Sequence, residues 1–222
     1  MPAVLVVGAS RGIGHELARQ YVADGWRVVA TARQQADVDA LLALGAHAWP
    51  VDVTSADSIA GLGWNLDGEE FDAAFLVAGV YGPHHNGFPT QQEFDTVMHT
   101  NVLAAMRLLP LVAPLVAARR GKLAVLSSVM ASLGQRSSNT GSLYRASKAA
   151  LNSVLVDTAI AFAPQGVSCV AFHPGWVQTD MGGPGAALTP EQSAQGLRAT
   201  LAALPSSPHA SFLNYDGSVI PW

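Results

Sequence analysis

The sequence predicts an α/β fold in which one doubly wound parallel sheet of about seven strands carries helices on both faces. Three observations support this prediction. Short apolar runs alternate along the whole chain with longer segments of helical periodicity, as in repeated βαβ units. Half of the residues are hydrophobic and only 13% are charged, a balance typical of a sheet buried on both faces. The 222 residues contain neither an internal repeat nor a long linker, so we expect one domain over residues 1–222.

The order of the elements follows from these runs. Strands are expected at residues 3–7, 27–31, 46–51, 71–77, 121–126, 167–172 and near 212–213. Helices are expected up to residue 23, over 37–44, over 90–118, from 141 onwards and over about 190–204. The apolar segment 108–118 is interrupted by Pro110 and Pro114 and is too short to span a bilayer.

Charge and cysteine content exclude several classes of function. The net charge is −4, and the basic residues cluster only at Arg119, Arg120 and Lys122, which argues against nucleic acid or a membrane surface as a partner. The single cysteine, Cys169, lies in an apolar run, where a buried and inert thiol is expected. The first residues lack the pattern of a secretory signal, so a cytoplasmic protein is predicted.

A glycine-rich turn follows the first strand. Residues 8–14 read Gly-Ala-Ser-Arg-Gly-Ile-Gly, with the spacing Gly-x-x-x-Gly-x-Gly, and a helical pattern begins there. Such a turn lets a pyrophosphate approach the backbone and the N–H groups of the helix, as in Rossmann-type nucleotide-binding folds. A tight turn without a ligand remains the alternative. The candidate cofactor-binding residues are Gly8, Ser10, Arg11, Gly12, Ile13 and Gly14.

The end of the second strand indicates which dinucleotide would bind. NAD-preferring folds place an acidic residue near this point to hold the adenosine ribose. Here the position holds Ala32, with Arg33 beside it and Arg11 in the glycine-rich turn. Two guanidinium groups without a carboxylate suit a 2′-phosphate, which favours NADP(H) over NAD(H). Two solvated arginines are the alternative.

A carboxylate follows the third strand. Asp52, with Val53 after it, could accept a hydrogen bond from the adenine amino group. It could equally cap the following helix, and Ser55 and Asp57 are further candidate caps.

The helix that begins near residue 141 brings a phenol and an ammonium group together. Tyr144 and Lys148 are four positions apart, so both side chains lie on one face. A cation beside a phenol favours the phenolate, but lowering a tyrosine pKa from about 10 towards 7 requires a sheltered cleft. A solvated pair on an ordinary helix is the alternative. Asn139 and Thr140 are candidate caps of this helix.

Three further polar features lie where a ligand could bind. Ser127 and Ser128 end the fifth strand, and ligands in open α/β sheets bind at the carboxyl ends of strands. Asn101 is an asparagine in the middle of a helix, which hints at a packing or functional use. His84 and His85 lack a second cluster with ligand spacing, so a substrate-side loop is favoured over a metal site, and no metal is predicted.

An ordered set of these motifs resembles one family along nearly the whole chain. The set comprises Gly8, Gly12, Gly14, Asp52, Ala78-Gly79, Asn101, Ser128, Tyr144, Lys148 and Pro174-Gly175. It resembles the classical short-chain dehydrogenase/reductase family. The runs Tyr-Arg-Ala-Ser-Lys-Ala-Ala-Leu-Asn and Pro-Gly-Trp-Val-x-Thr-Asp-Met-Gly-Gly, with the ending Tyr-Asp-Gly…Pro-Trp, look like its C-factor and sniffer-type carbonyl reductase branch.

The resemblance implies an NADP(H)-dependent oxidoreductase that interconverts a carbonyl and an alcohol. Tyr144 would exchange a proton with the substrate oxygen, and Lys148 would lower the pKa of Tyr144 and hold the nicotinamide ribose. Ser128 would hydrogen-bond the same oxygen, and Asn101 would hold a water linked to Lys148. The other residues that the resemblance places around the cofactor are Ala78, Gly79, Pro174, Gly175, Val177 and Thr179.

Two positions depart from the family pattern. Val7 stands where the family usually has threonine, and Leu76-Val77 replaces an Asn-Asn pair that ties the central strands together. Without the asparagines, the central strands are expected to be held less tightly where they contact the cofactor. All four catalytic positions match, so an active enzyme is expected, and a non-catalytic NADP(H)-binding sensor is the alternative.

The resemblance also predicts the surroundings of the site. A small-molecule carbonyl or alcohol would bind under a short lid at about residues 181–190. The candidate pocket walls are Tyr81, His84, His85, Leu133, Trp176 and Met181. A homodimer or homotetramer is expected, paired through helix faces at residues 101–118 and 151–162.

Overall fold

The computed structural model describes residues 1–83, 87–207 and 209–222, and it has a seven-stranded parallel sheet at its centre. The strands lie in the order β3-β2-β1-β4-β5-β6-β7. Their bounds are β1 Ala3–Val7, β2 Arg27–Ala32, β3 His47–Pro50, β4 Ala73–Leu76, β5 Lys122–Leu126, β6 Ser168–His173 and β7 Ser211–Asn214. The predicted doubly wound parallel sheet with about seven strands is therefore confirmed.

Helices cover both faces of the sheet. Their bounds are α1 Gly12–Ala23, α2 Gln35–Ala43, α3 Ala56–Asn65, α4 Gln91–Met98, α5 Ala104–Ala117, α6 Ser142–Phe162 and α7 Pro190–Ala203. One apolar core contains residues of α3, α5 and α6, and the other contains residues of α1, α2 and α7. Every residue of β1 is buried, because its side chains alternate between these two cores.

The long helix predicted over residues 90–118 runs through α4, a π-helical turn at His99–Leu103, and α5 without a break. Pro110 and Pro114, which interrupt the apolar run in the sequence, both lie inside α5 and leave the predicted helix continuous. Pro110, Pro114 and Met106 share the exposed face of the helix, where water can solvate the carbonyl groups that the prolines leave without a donor.

The segment Gln91–Ala117 is long and apolar enough to cross a membrane by length and composition, with a mean hydropathy of 1.6 over its best window. Half of that window is buried inside the protein. Its apolar residues, among them Leu108, Leu109 and Val112, belong to the core shared with α3 and α6. Core packing therefore explains the composition of this helix.

The strand order places the candidate residues at one edge of the sheet. β1 lies between β2 and β4, so the chain reverses its direction of winding between these central strands. Ligands in open α/β folds bind at such a switch point, outside the carboxyl ends of the strands. Gly8, Ala78, Ser127 and Pro174 lie at or just beyond the carboxyl ends of β1, β4, β5 and β6.

The turn between β1 and α1 is packed too closely for a side chain at Gly8 or at Gly14. Gly8 has φ +93°, and a methyl group there would lie 2.8 Å from the backbone nitrogen of Ala78. A methyl group on Gly14 would lie 2.2 Å from the carbonyl oxygen of Gly8. The glycine spacing in the sequence thus reflects close contact between the turn, the helix and β4.

Replacing Gly8 with alanine is expected to destabilise the protein through this contact. Gly25 is a matched control, since it also has positive φ, at +75°, but a methyl group there would meet nothing within 4 Å. We expect Gly25→Ala to lower the free energy of unfolding by about 1 kcal/mol through backbone strain. Gly8→Ala adds a steric clash and should cost about 3 kcal/mol or more. Urea unfolding followed by circular dichroism measures both, and equal losses would contradict the packing argument.

Candidate active site

Tyr144 and Lys148 lie in a sheltered position at the start of α6. Tyr144 is only 7% exposed and Lys148 only 3%. The ammonium nitrogen of Lys148 lies 5.7 Å from the centre of the Tyr144 ring and donates a hydrogen bond of 2.7 Å to the carbonyl of Leu126. The two side chains therefore share one buried face, and a solvated pair is excluded.

Ser128 is the serine that reaches Tyr144. It precedes a short 3₁₀ turn, Val129–Ala131, and its hydroxyl oxygen accepts a hydrogen bond of 3.1 Å from the backbone N–H of Met130. Ser128 also acts on the phenol of Tyr144, since hydrogen bonding to this serine favours the phenolate and lowers the pKa of Tyr144. The hydroxyl of Ser127 is buried without a hydrogen-bond partner in the described residues. The geometry thus agrees with the choice of Ser128 over Ser127.

Burial controls the protonation of both titratable groups. It raises the pKa of Tyr144 to about 12, against the opposing effect of the Ser128 hydrogen bond, and nearby Tyr81 adds a smaller upward effect. Burial also lowers the pKa of Lys148 to about 8. Desolvation of the phenolate is the largest cause of the shift in the pKa of Tyr144, and the expected lowering of that pKa by Lys148 stays a prediction. Tyr144 is protonated at neutral pH.

Asn101 connects the loop after β4 to α6. It lies in the π-helical turn, is 1% exposed, and exchanges two hydrogen bonds of 2.8 Å with the backbone N–H and C=O of Val80. Its amide also donates to the hydroxyl of Ser147 at 2.9 Å, and that hydroxyl donates to the carbonyl of Tyr144 at 2.8 Å. The side chain of this mid-helix asparagine therefore fastens together the elements around Tyr144.

Gly79 leaves room for these side chains. A methyl group at this position would lie 3.1 Å from the ammonium nitrogen of Lys148 and 3.2 Å from the amide oxygen of Asn101. Both distances are tight, so a glycine here lets Lys148 and Asn101 approach the loop after β4. The sequence placed Ala78 and Gly79 near the cofactor, and the structure places Gly79 against two of the candidate catalytic residues.

The segment after β6 lies over the glycine-rich turn. The side chain of Thr179 lies 3.0 Å from where a methyl group on Gly12 would be, and Arg11 forms an ion pair with Asp180. Both charged side chains remain largely exposed, at 77% and 73%. The segment thus brings Thr179 close to the glycine-rich turn, whereas Arg11 is engaged by a carboxylate that the sequence did not single out.

The predicted lid folds back on residues 176–178, the segment that precedes it. The backbone N–H of Gln178 donates to the carbonyl of Leu188 at 2.8 Å, and the N–H of Leu188 donates to the carbonyl of Trp176 at 3.0 Å. The indole of Trp176 donates to the carbonyl of Gly182 at 2.8 Å. Val177 is buried at the base of this loop, and Gly175, with φ +86°, packs against Leu188.

Asp52, which lies between β3 and α3, stabilises a local turn and does not cap α3. One of its carboxylate oxygens accepts hydrogen bonds from the backbone N–H and the hydroxyl of Thr54, at 2.9 and 2.7 Å. These bonds lower the pKa of Asp52, and exposed Arg33 contributes further. Ser55 is the residue whose side chain caps α3, by accepting from the N–H of Ser58.

Backbone bonds and one hydroxyl hold the ends of the central strands together. The carbonyl of Val7 accepts from the N–H groups of Val77 and Ala78, at 2.9 and 3.2 Å. The hydroxyl of Thr31, at the end of β2, accepts from the N–H of Gly8 at 3.1 Å. These contacts tie β1 to β2 and β4 although the chain lacks the family's threonine and asparagines at these positions.

Three features were missed or wrongly predicted from the sequence. Neither Asn139 nor Thr140 caps α6, because the cap position is Gly141 in a left-handed conformation without a side-chain cap. The hydroxyl of Thr140 instead pairs with that of Ser138 at 2.9 Å. The ring of Tyr81 packs on that of Tyr144, with their centres 4.7 Å apart. Thr31 carried no signal of its own, since threonine is common in strands.

The histidines considered for a metal site, His84 and His85, lie outside the described residues. Across residues 1–83, 87–207 and 209–222, no group of three or more histidine, cysteine, aspartate or glutamate side chains could hold a metal ion.

Comparisons with known proteins agree with this arrangement. The sequence model of the family described as short chain dehydrogenase matches residues 2–187. The chain is 34% identical, over the full length of both proteins, to 1-hydroxy-2-glutathionyl-2-methyl-3-butene dehydrogenase of Rhodococcus sp. (strain AD45).

Two solved structures share the fold over the whole chain. One is a carbonyl reductase from Pseudomonas aeruginosa PAO1 in complex with NADP, with 35% identity, a TM-score of 0.85 and full coverage of both chains. The other is the carbonyl reductase Sniffer of D. melanogaster, with 25% identity, a TM-score of 0.92 and full coverage of both chains. The chain therefore belongs to the short-chain dehydrogenase/reductase family of oxidoreductases and is of the carbonyl reductase type.

Proposed function

We propose that this protein is an NADP(H)-dependent carbonyl reductase in which Tyr144 donates the proton. The observation that carries the proposal is the burial of Ser128, Tyr144 and Lys148 in one niche, with the ammonium group of Lys148 5.7 Å from the centre of the phenol ring. A carbonyl reductase with the same fold binds NADP. The substrate would be a small aldehyde or ketone.

The residues around the glycine-rich turn fit a dinucleotide. No side chain caps the N-terminus of α1, so its backbone N–H groups are available to a phosphate group. The adenosine end would contact Arg33, Asp52 and Val53, and the pyrophosphate would contact residues 10–13. The nicotinamide end would be held by Tyr144, Lys148, Ala78, Gly79, Pro174, Gly175, Val177 and Thr179. When bound, the nicotinamide would supply or accept the hydride.

The side chains of this site can carry the proton chemistry. The hydroxyls of Ser128 and Tyr144 would both hydrogen-bond the substrate oxygen, and Tyr144 would donate its proton as negative charge develops there. Lys148 would stabilise the resulting phenolate. Asn101 would hold the loop after β4 in place against α6. We infer that it also supports the water linked to Lys148.

The protonation state of Tyr144 favours one direction of reaction. A phenol whose pKa is about 12 carries its proton at neutral pH, so it is ready to act as a general acid. Oxidation of an alcohol would require the phenolate, which is scarce at that pH. We therefore propose carbonyl reduction as the favoured direction.

Three further proposals concern the surroundings of the site. Residues 181–190 would act as a lid over the substrate, and the hydrogen bond from Trp176 to Gly182 would hold its hinge. Met106 and Ile160 are 51% and 64% exposed on the helix faces predicted to pair, which supports a homo-oligomer. We also propose that the protein acts in the cytoplasm.

Removing the Tyr144 hydroxyl tests the proposal directly. We expect Tyr144→Phe to lower kcat for a panel of aldehydes and diketones by about 10³-fold or more, because the proton donor is lost. NADPH affinity, measured by fluorescence titration, should change by less than about threefold. Tyr21→Phe is the matched control, since it removes another buried tyrosine hydroxyl, in α1, and should leave turnover intact. If NADPH binds to the native protein but no carbonyl is reduced, the sensor function replaces this proposal.

The raised pKa of Tyr144 predicts different pH profiles for the two directions. Reduction needs the protonated phenol and the ammonium form of Lys148, whose pKa is about 8, so kcat for a carbonyl should be flat below about pH 7 and fall above about pH 8. Oxidation needs the phenolate, so kcat for an alcohol should rise about tenfold per pH unit between about pH 6 and 8. Initial rates at saturating substrate measure both. An oxidation rate that levels off near pH 7 would show that Tyr144 ionises at neutral pH in the working enzyme.

The arginines predict a preference for the phosphorylated cofactor. We expect NADPH to bind at least about tenfold more tightly than NADH, or about 1.4 kcal/mol. Arg33→Ala should remove most of that difference by weakening NADPH binding without changing NADH binding. Arg119→Ala is the control, because this exposed arginine pairs with Glu70. Glu70 precedes the amino end of β4, at the opposite edge of the sheet from Arg33. Equal affinities of the native protein for both cofactors would contradict the arginine argument.

A further inference from the structure

We propose that Tyr81 is a positioning residue that holds the ring of Tyr144 in its reactive orientation through aromatic stacking. The proposal rests on the carbonyl reductase function proposed above, in which Tyr144 donates the proton. Three independent features of the structure support it: the anchoring of the loop that carries Tyr81, the contact between the rings, and the glycine that makes room for Tyr81.

The backbone next to Tyr81 is anchored through both peptide groups that flank the Cα of Val80. The N–H of Val80 donates to the amide oxygen of Asn101, and the amide nitrogen of Asn101 donates to the carbonyl of Val80, both at 2.8 Å. Asn101 is 1% exposed, so these bonds are shielded from water. The position of the Tyr81 Cα is therefore fixed relative to the helix that carries Asn101.

The ring of Tyr81 lies against the ring of Tyr144. The centres are 4.7 Å apart and the ring planes are inclined by 31°, a geometry within the favourable range for aromatic pairs. The ammonium group of Lys148 lies over the Tyr144 ring at 5.7 Å, and Ser128 acts on the pKa of its hydroxyl. Tyr81 thus adds a broad apolar contact to the two polar groups that hold the phenol, and it resists rotation of the ring.

The start of α6 is shaped to accept Tyr81. Gly141 has φ +66°, and a methyl group there would lie 2.7 Å from the hydroxyl oxygen of Tyr81 and 3.0 Å from the terminal carbon of Met130. A capping side chain at this position would therefore displace Tyr81 from Tyr144. The absence of a side-chain cap on α6 is explained by the space that Tyr81 occupies.

A kinetic comparison of two variants tests this role. We expect Tyr81→Leu, which removes the ring but keeps an apolar side chain, to lower kcat by about tenfold or more, since a displaced acid no longer meets the substrate oxygen. KM and NADPH affinity should change by less than about threefold. Tyr81→Phe keeps the ring and should restore kcat to within about threefold of the native value. Trp64→Leu is the matched control, because Trp64 is an 84% exposed aromatic residue on α3.

Other outcomes would overturn the proposal. A raised KM with unchanged kcat in Tyr81→Leu would make Tyr81 a wall of the substrate pocket. A parallel loss of NADPH affinity would show that the substitution damages the cofactor site. A loss of kcat in Tyr81→Phe as large as in Tyr81→Leu would assign the effect to the hydroxyl group and not to the ring.

A second measurement does not depend on turnover. The chain has four tyrosines, so fluorine NMR of protein labelled with 3-fluorotyrosine should give four resolvable environments, and Tyr144→Phe identifies the Tyr144 signal. The ring current of Tyr81 should shift that signal. Tyr81→Leu should remove the shift and Tyr81→Phe should keep it, and an unchanged signal in Tyr81→Leu would refute the stacking. If the native protein reduces no carbonyl, the proposed function fails, and this measurement still decides whether Tyr81 holds the ring.

Discussion

The paired hydrogen bonds between the side chain of Asn101 and the backbone of Val80 are the interaction on which the site depends most. A loop that leaves the sheet beside a buried helix has backbone polar groups that water cannot reach, and leaving them unpaired would cost about 1–3 kcal/mol each. One amide side chain satisfies both groups of Val80. The same amide reaches the hydroxyl of Ser147, which in turn bonds the carbonyl of Tyr144. These hydrogen bonds therefore connect the loop after β4, the π-helical turn and α6.

The π-helical turn is what presents this asparagine. An extra residue in a helical turn displaces the following side chains and breaks the regular ladder, which carries a cost that is usually repaid at functional sites. Here the turn covers His99–Leu103 and lies between α4, in which Val97 is buried, and α5, which buries its apolar face in the core. Core packing thus stabilises an irregular turn, and the irregular turn positions a polar group that the core could not otherwise accommodate.

Burial then determines the chemistry of the site. The pKa of Tyr144 rises to about 12 and that of Lys148 falls to about 8, both through desolvation, so burial moves the two values apart. The ammonium group is stabilised by the carbonyl of Leu126, which directs it to one place beside the phenol. A site of this kind holds a neutral acid next to a cation, which suits the delivery of a proton to an oxygen that becomes negatively charged.

The sequence predicted what depends on local pattern and missed what depends on distant contacts. The strands, the glycine-rich turn and the shared face of Tyr144 and Lys148 follow from periodicity and spacing, and the structure has them. The helix predicted over residues 90–118 continues through Pro110 and Pro114, which lie on its exposed face. The contact between Tyr81 and Tyr144 joins residues 63 positions apart, so no spacing rule could find it.

Arg11 illustrates the same limit and refines the argument on cofactor preference. In the structure its guanidinium is paired with Asp180, on the segment that crosses the glycine-rich turn, so it is not free to bind a phosphate without giving up that partner. Both side chains are about three-quarters exposed, and exposed pairs contribute at most about 1 kcal/mol, so the exchange is cheap. Arg33 is exposed at the end of β2, and in the described part of the chain it forms no salt bridge. Selectivity for a 2′-phosphate should therefore depend more on Arg33 than on Arg11, because Arg33 gains a partner while Arg11 only changes one.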